Sequence, residues 1–401
     1  MGIWTIISST NFQAFDMDRS LPNFQLVSGT MRRCKSLEAV EPERLDDWIG
    51  DSIEKFSGPL FAFDESLPDY LRLDRGPIWI PMTCATIAIS KSITGVSLDD
   101  METLRFLENI HLLYRLDDFV ETALEQYGIK DIGVLRKTLL RCFDIVQTNR
   151  SNSNAGSSLP RDSPMDESAT MSFTGQDFLQ RDMLGLLELL HQPTVKAAHC
   201  YNQMWYTTEL REMLEAMIQQ LVEKADPEPR DSRITSPIGQ EISLRSWLHG
   251  TGAVSVGTKY QFAFLACLVS ARDGAPCWQD AHKSYMAQAF AHHVSTSWCI
   301  WNDLGGRERD KEDGALTCVT MLGREELDTL SRIAEFEAEC AILAQRKIAR
   351  TGSWCQEELD KQPEDWYLLE FFRKAVHLSG EIYMSGDPTR SIKSEDASKC
   401  I

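Results

Sequence analysis

The chain has 401 residues, of which 43% are hydrophobic, and it carries a formal net charge of −19. This length and composition allow one large buried core, and no apolar run reaches the roughly 18 residues of a transmembrane helix. A strongly acidic chain is a poor partner for nucleic acid or an anionic membrane. We therefore expect no nucleic-acid partner and no membrane span.

The features that report on cellular compartment point to the cytoplasm. The N-terminus lacks the basic start of a secretory signal. The 11 cysteines include no CxxC pair, which argues against both a zinc ribbon and a secreted disulfide framework. The sequence predicts a protein of the reducing cytoplasm and leaves the oligomeric state open.

Apolar residues recur at helical spacing along most of the chain, and alternating strand patterns are scarce. We therefore predict an all-α fold, a single helical bundle around a central apolar cavity. Helices are predicted, in chain order, over 101–127, 177–224 with an interruption at Pro193, 258–270, 282–304, 323–348 and 363–384. The whole chain, 1–401, is interpreted as one domain with an N-terminal extension (1–40), a flexible loop (147–177) and a polar tail (385–401).

The first acidic cluster lies near the end of the predicted helix 101–127. Asp117 and Glu121 are four residues apart and share one helix face, with Asp118 beside them. Like charges this late in a helix oppose the helix dipole, and a divalent cation would relieve that repulsion. Mg²⁺ accepts a few carboxylates together with waters and phosphate oxygens. A solvated acidic turn would give the same string.

The second acidic cluster follows the apolar helix 282–304. Asn302, Gly306 and Asp310 are spaced by four residues and stack along one helix face. Asn302 and Asp310 offer oxygen ligands, whereas Gly306 would leave its coordination position to water. Arg309 is placed to hold a phosphate oxygen. An exposed, charged helix end with a Gly-Gly break is the alternative reading, but two such clusters favour a metal site between facing helices.

These residues resemble the motifs of the class I terpene synthases. Asp117-Asp118-x-x-Glu121 is similar to the aspartate-rich motif of that family. The second motif of the family begins with Asn-Asp, as at Asn302-Asp303, and here has Gly306 where Ser or Thr is usual and Asp310 where Glu is usual. The resemblance, over residues 80–390, looks most like a fungal sesquiterpene cyclase, with the humulene-forming kind as one candidate.

The resemblance implies further residues and a cofactor. A diphosphate-binding Arg on a kinked helix is expected at Arg245, with the kink at Gly250–Gly252. Arg390 is expected to be a further diphosphate contact, although Ser391 stands where the family has Tyr. The family implies three Mg²⁺ ions, with Mn²⁺ as a substitute, and an isoprenyl diphosphate as substrate. Farnesyl diphosphate is the expected substrate.

A carbocation also needs aromatic ring faces, each of which stabilises a cation by roughly 0.5–2 kcal/mol. Tyr114 and Trp298 are the leading candidates, because they precede Asp117 and Asn302 by about one turn. The further candidates are Trp205, Phe264 and Tyr285. Ordinary core packing is the competing interpretation for each of them.

Two other functions remain open. A chain-elongating prenyltransferase would require isopentenyl diphosphate as a second substrate, and its second cluster would be of the DDxxD type. A non-enzymatic helical binding protein would use its acidic clusters only as solvated faces. The sequence favours the cyclase and names no final base.

Overall fold

The structure is a computed structural model that describes residues 22–71, 79–153, 174–224, 243–312, 316–322, 326–350 and 364–384. Within these ranges the chain is helical and contains no β-strand. The prediction of an all-α fold is therefore confirmed.

The first half of the described chain forms nine helices. They are α1 (Pro22–Met31), α2 (Pro42–Ser52), α3 (Gly58–Ser66), α4 (Trp79–Thr94), α5 (Asp100–Gln126), α6 (Ile132–Ser153), α7 (Gly175–Leu190), α8 (Pro193–Ala197) and α9 (Cys200–Lys224). The start of α5 is fixed by a capping box, in which Asp99 accepts from the backbone of Glu102 and Glu102 from the backbone of Asp99.

The second half of the described chain contains a broken helix and the long helix of the second acidic cluster. Its helices are α10 (Leu244–Trp247), α11 (Ala253–Ser255), α12 (Thr258–Asp273), α13 (Ala281–Glu312), α14 (Cys318–Leu322), α15 (Leu327–Arg350) and α16 (Glu364–Met384). A π-helical turn, Leu248–Gly252, joins α10 to α11. Gly250 breaks the helix there, with φ −109° and ψ −115°.

Two predicted boundaries differ from the structure. The loop predicted over 147–177 is helical at both ends, because α6 continues to Ser153 and Thr174 caps α7. The predicted extension 1–40 packs into the fold from α1 onward, where Val27 and Met31 are fully buried. The tail 385–401 lies outside the described residues.

The helices enclose one main apolar core and two smaller ones. The main core includes inward faces of α5, α9, α12 and α16. A second core joins α1 and α2 to α4 and α16, and a third packs Trp247 of α10 against α13 and α14. Among the described helices no single one is both long and apolar enough to cross a membrane, and the bent pair Leu244–Ser255 and Thr258–Asp273 reaches that composition only together.

Candidate active site

The first acidic cluster lies in the last three turns of α5, as predicted. Asp117 and Asp118 are half-buried, whereas Glu121 is exposed. The helix continues to Gln126, so the three carboxylates are held on regular helical backbone.

A buried ion cluster fixes this part of α5 against α3. Arg115 is only 2% exposed and contacts the carboxylate of Asp64. His111, one turn earlier, lies 2.7 Å from the same carboxylate oxygen. Burial lowers the pKa of His111, and the positive charge of Arg115 lowers it further. The carboxylate of Asp64 raises this pKa but does not outweigh the burial. We call these three residues the arginine anchor, because they tie α5 to α3 just before Asp117 and Asp118.

The second acidic cluster lies on α13, which runs without interruption through Gly305 and Gly306 to Glu312. The Gly-Gly break of the alternative interpretation is absent, so the i, i+4, i+8 spacing does place the three motif positions along one helix. Asn302 is half-buried, and Gly306 and Asp310 are buried. The side chain of Arg309 lies outside what the structure describes.

Asp303, beside Asn302, has a structural role that the sequence did not reveal. It is 5% exposed, and its carboxylate accepts the backbone N–H of Cys318 at 2.8 Å. Cys318 is the first residue of α14, where backbone N–H groups lack helical acceptors. Asp303 therefore holds the start of α14 against α13, while Asn302 points from another face of the helix.

Four aromatic rings connect the two acidic helices. Trp79 contacts the ring of Tyr114 edge-to-face, with centroids 4.8 Å apart, and the ring of Tyr383 at 6.0 Å. Tyr383 in turn meets Trp298 edge-to-face at 5.3 Å. We call these four residues the aromatic row.

The aromatic row lies at one end of the bundle. Trp79 is the first residue of α4, and Tyr383 is the last but one of α16. Tyr114 lies one turn before Asp118, and Trp298 lies one turn before Asn302. The row therefore joins α5 to α13 through rings that lie one turn before each acidic cluster. The leading aromatic candidates, Tyr114 and Trp298, thus belong to one continuous set of contacts.

Two glycines bring α13 and α16 unusually close. A Cβ on Gly305 would lie 2.8 Å from the carbonyl oxygen of Tyr383, and a Cβ on Gly380 would lie 3.2 Å from the Trp301 ring. Gly305 therefore allows backbone contact beside Asn302. No local pattern of residues predicted this approach, because the two glycines are distant in the chain.

The other aromatic candidates lie elsewhere. Trp205 is buried, donates its indole N–H to Glu209 at 3.0 Å and contacts Trp278, which precedes α13. Phe264 is fully buried and stacks on Phe106 in the main core. Tyr285 is 69% exposed near the start of α13, 17 residues before Asn302. The prediction that Tyr285 faces an apolar interior is therefore wrong, since its ring packs on the outside.

The helix break predicted near Arg245 is present, with Gly250 at its centre. Arg245 itself is exposed on α10. Arg390 lies outside the described residues. The placement of both arginines against a diphosphate stays a prediction.

A second ion cluster lies beside this break. His249 contacts His292 of α13 at 2.7 Å and Glu337 of α15 at 3.3 Å, and His293 lies 2.6 Å from Glu337. Burial, with smaller contributions from His249, Lys259 and His293, lowers the pKa of His292 to about 4. Burial would raise the pKa of Glu337, but the surrounding imidazoles outweigh it and hold that pKa below its usual value. We call these four residues the histidine anchor.

The oxygen donors at the two acidic turns fit Mg²⁺ by their chemistry. Mg²⁺ usually binds one or two carboxylates and completes its octahedron with waters and substrate phosphates. Asp117 and Asp118 on α5, and Asn302 and Asp310 on α13, supply oxygen donors from two helices. Within the described ranges, no three His, Cys, Asp or Glu side chains converge to form a complete site. The donor set therefore suits ions that are shared with a diphosphate.

The fold and the site define an all-α protein in which a row of aromatic contacts links two helices that each carry an acidic turn. Comparison with known proteins points to terpene cyclases within that class. The chain is similar to a pimaradiene synthase of Emericella nidulans, with 24% identity over 263 residues, which cover 60% of this chain and 26% of the relative. No protein-family model matches.

Two further relatives are ent-kaur-16-ene synthases. The one from Phaeosphaeria sp. is 29% identical over 224 residues, or 51% of this chain and 22% of the relative. The one from Fusarium fujikuroi is 23% identical over 211 residues, or 50% of this chain and 20% of the relative. The chain thus spans about a quarter or less of the length of these relatives. The similarity supports the predicted terpene synthase family, but through diterpene rather than sesquiterpene or humulene synthases.

Proposed function

We propose that this protein is a Mg²⁺-dependent terpene cyclase that converts an isoprenyl diphosphate into a cyclic hydrocarbon and diphosphate. The aromatic row is the observation that supports the proposal most directly, because it links α5 to α13 through rings one turn before their acidic residues. Similarity to fungal terpene cyclases supports it independently.

In the proposed reaction the allylic C–O bond breaks and its electron pair leaves with the diphosphate. Bound Mg²⁺ supplies the positive charge that stabilises this leaving group. Asp117, Asp118, Glu121, Asn302 and Asp310 would hold the ions, and Arg245, Arg309 and Arg390 would donate hydrogen bonds to diphosphate oxygens.

The allylic cation is then attacked by a double bond of the same chain, and the final cation loses a proton to give the hydrocarbon. The ring faces of Tyr114 and Trp298 lie one turn below the acidic residues, where they would stabilise positive charge as it moves away from the diphosphate. The released diphosphate is the proposed proton acceptor.

We infer a twenty-carbon substrate. Pimaradiene and ent-kaurene, which the relatives are named for, are twenty-carbon hydrocarbons. Farnesyl diphosphate, the fifteen-carbon substrate predicted from the sequence, is the alternative. A cytoplasmic location and replacement of Mg²⁺ by Mn²⁺ remain predictions.

The test is incubation of the purified chain with geranyl, farnesyl or geranylgeranyl diphosphate, with Mg²⁺, Mn²⁺ or EDTA, followed by gas chromatography with mass spectrometry. We expect a cyclic hydrocarbon when geranylgeranyl diphosphate is the single substrate, and none when EDTA replaces the metal ion. A product from farnesyl diphosphate only would overturn the chain-length inference. A requirement for isopentenyl diphosphate would instead identify a prenyltransferase, and no metal-dependent diphosphate release would identify a binding protein.

A further inference from the structure

Trp79 occupies the central position of the aromatic row. Its ring is 7% exposed and meets Tyr114 on one side and Tyr383 on the other, with interplanar angles of 81° and 75°. Edge-to-face contacts of this kind contribute roughly 0.5–1.5 kcal/mol each beyond apolar burial. Trp79 therefore connects α5 to α16 through two oriented contacts.

The partner rings lie directly beside the two acidic turns. Tyr114 is one turn from Asp118 on α5. Tyr383 contacts Trp298, which is one turn from Asn302 on α13. The rings therefore form a continuous series of contacts that ends one turn from each acidic cluster.

The packing around α16 makes one half of this connection rigid. Gly305 of α13 lies against the backbone of Tyr383, and Gly380 of α16 lies against Trp301. The ring of Tyr383 therefore moves together with the Asn302 turn. The distance from this pair of helices to α5 is set, among the described residues of the row, by the ring of Trp79.

Helix α4 gives Trp79 a fixed base. Met82, Ala85 and Ile89 of α4 are buried in the second core with Leu378 and Ile382 of α16. A side chain at the start of α4 is thus held by the body of its helix, because packed interiors resist small displacements.

We propose that Trp79 is a positioning residue that sets the spacing between the acidic turn of α5 and that of α13, and so the affinity for Mg²⁺ and diphosphate. The inference rests on the proposed function and deepens it. Trp79 acts through Tyr114 and Tyr383 and does not itself contact the metal or the diphosphate.

Trp278 provides a matched control. It is a tryptophan of similar burial, 4% exposed, with an edge contact to Trp205 at 6.1 Å and a near-parallel contact to Phe262 at 5.0 Å. It precedes the start of α13 and lies 24 residues before Asn302. Loss of its ring removes comparable packing far from the acidic turns.

The experiment compares Trp79→Leu with Trp278→Leu by thermal unfolding in increasing Mg²⁺ with inorganic diphosphate, in the absence of substrate turnover. We expect both variants to melt earlier than the wild type. The Mg²⁺ concentration for the half-maximal rise in melting temperature should increase about tenfold for Trp79→Leu, the order seen when groups supporting metal ligands are removed. It should stay within twofold of the wild type for Trp278→Leu.

Trp79→Phe keeps a ring in the row and should give an intermediate increase, about threefold, whereas Trp278→Phe should give none. If Trp79→Leu fails to fold, the comparison of Trp79→Phe with Trp278→Phe tests the positioning role. Equal Mg²⁺ dependence of the Trp79 and Trp278 variants, with a normal response of the wild type, would overturn the positioning role alone. No response of the wild type to Mg²⁺ and diphosphate would overturn the proposed function, and the positioning role with it.

Discussion

The two acidic helices are held by ion clusters of the same design but of different chemistry. In each cluster one carboxylate from a neighbouring helix contacts two basic side chains. At least one of these side chains precedes the acidic turn on the same helix. Asp64 of α3 contacts Arg115 and His111 of α5. Because a guanidinium stays charged at every accessible pH, the positive charge of Arg115 in the arginine anchor does not depend on pH.

The histidine anchor of α13 contains only imidazoles as basic groups. Glu337 contacts His293 on α13 and His249 in the helix break, and His292 contacts His249. This anchor ties α13 to the segment that carries the break, and its charge depends on pH. The comparison indicates that the α5 turn is held by a fixed charge, whereas the α13 turn and the helix break share a support that acid can weaken.

The largest expected effect tests whether the two turns form one site. Asp117→Asn and Asn302→Ala should each lower the rate of diphosphate release by about 100-fold to 1,000-fold, the range for loss of one group that stabilises a transition state. Steady-state assays of diphosphate release measure this, with Glu125→Gln, an exposed change on the same helix, as the control. A large loss for one variant and a normal rate for the other would separate the two turns functionally.

The next effect tests the difference between the anchors. Asp64→Ala removes the carboxylate that Arg115 contacts and should lower the free energy of unfolding by about 3 kcal/mol, as expected for a broken buried ion pair. Glu337→Ala should cost less, about 1–2 kcal/mol, because an imidazole that loses its carboxylate partner can release its proton whereas a guanidinium cannot. Urea denaturation gives both values.

Asp144→Ala is the control for this pair, because the contact of Asp144 with Arg211 is exposed. We expect a change below about 1 kcal/mol. Equal losses for Asp64→Ala and Glu337→Ala would remove the distinction between a permanent and a titratable anchor.

A third effect concerns the contact between α13 and α16. Gly305→Ala would place a methyl group 2.8 Å from the Tyr383 carbonyl oxygen, and overpacking of this kind costs typically about 1–3 kcal/mol. Thermal and urea unfolding should show that loss. Gly29→Ala in α1, where a Cβ meets no atom within 4 Å, should leave stability unchanged or raise it slightly. Unaltered stability of Gly305→Ala would mean that the two helices are not in backbone contact.

The smallest effect is a pH dependence. His292 has its pKa lowered to about 4 in the fold, mainly by burial, so the unfolded chain binds a proton at higher pH than the folded chain does. The stability from this group is complete above about pH 6.5 and is lost as pH falls toward 4. His292→Gln should therefore flatten the decline in unfolding free energy between pH 6.5 and 4.

His282→Gln, at an exposed position of α13, is the matched control and should leave the decline unchanged. The same slope in the His292 and His282 variants would show that the histidine anchor does not carry this dependence. His249, His293 and Lys259 lower the pKa of His292, and Glu337 raises it. Removing one of the first three should therefore raise the pH at which this decline ends, and removing Glu337 should lower it.

The sequence by itself determined the helices that carry the candidate site. The periodicity over 101–127 predicted α5 within one residue at each end, and the spacing of Asn302, Gly306 and Asp310 predicted one face of α13. The break at Gly250 was also expected, from the family resemblance. These features depend on residues one to eight positions apart in the chain. Their positions on a helix therefore follow from the sequence alone.

Only the tertiary structure decided which side chains meet between helices. The aromatic row joins positions 79, 114, 298 and 383, the carboxylate of Asp303 caps a helix that begins 15 residues later, and Tyr285 lies outside while Trp298 lies within the row. Such contacts depend on how far helices rotate and how closely their backbones approach, and both are fixed by packing across the whole core. No local pattern of residues contains that information.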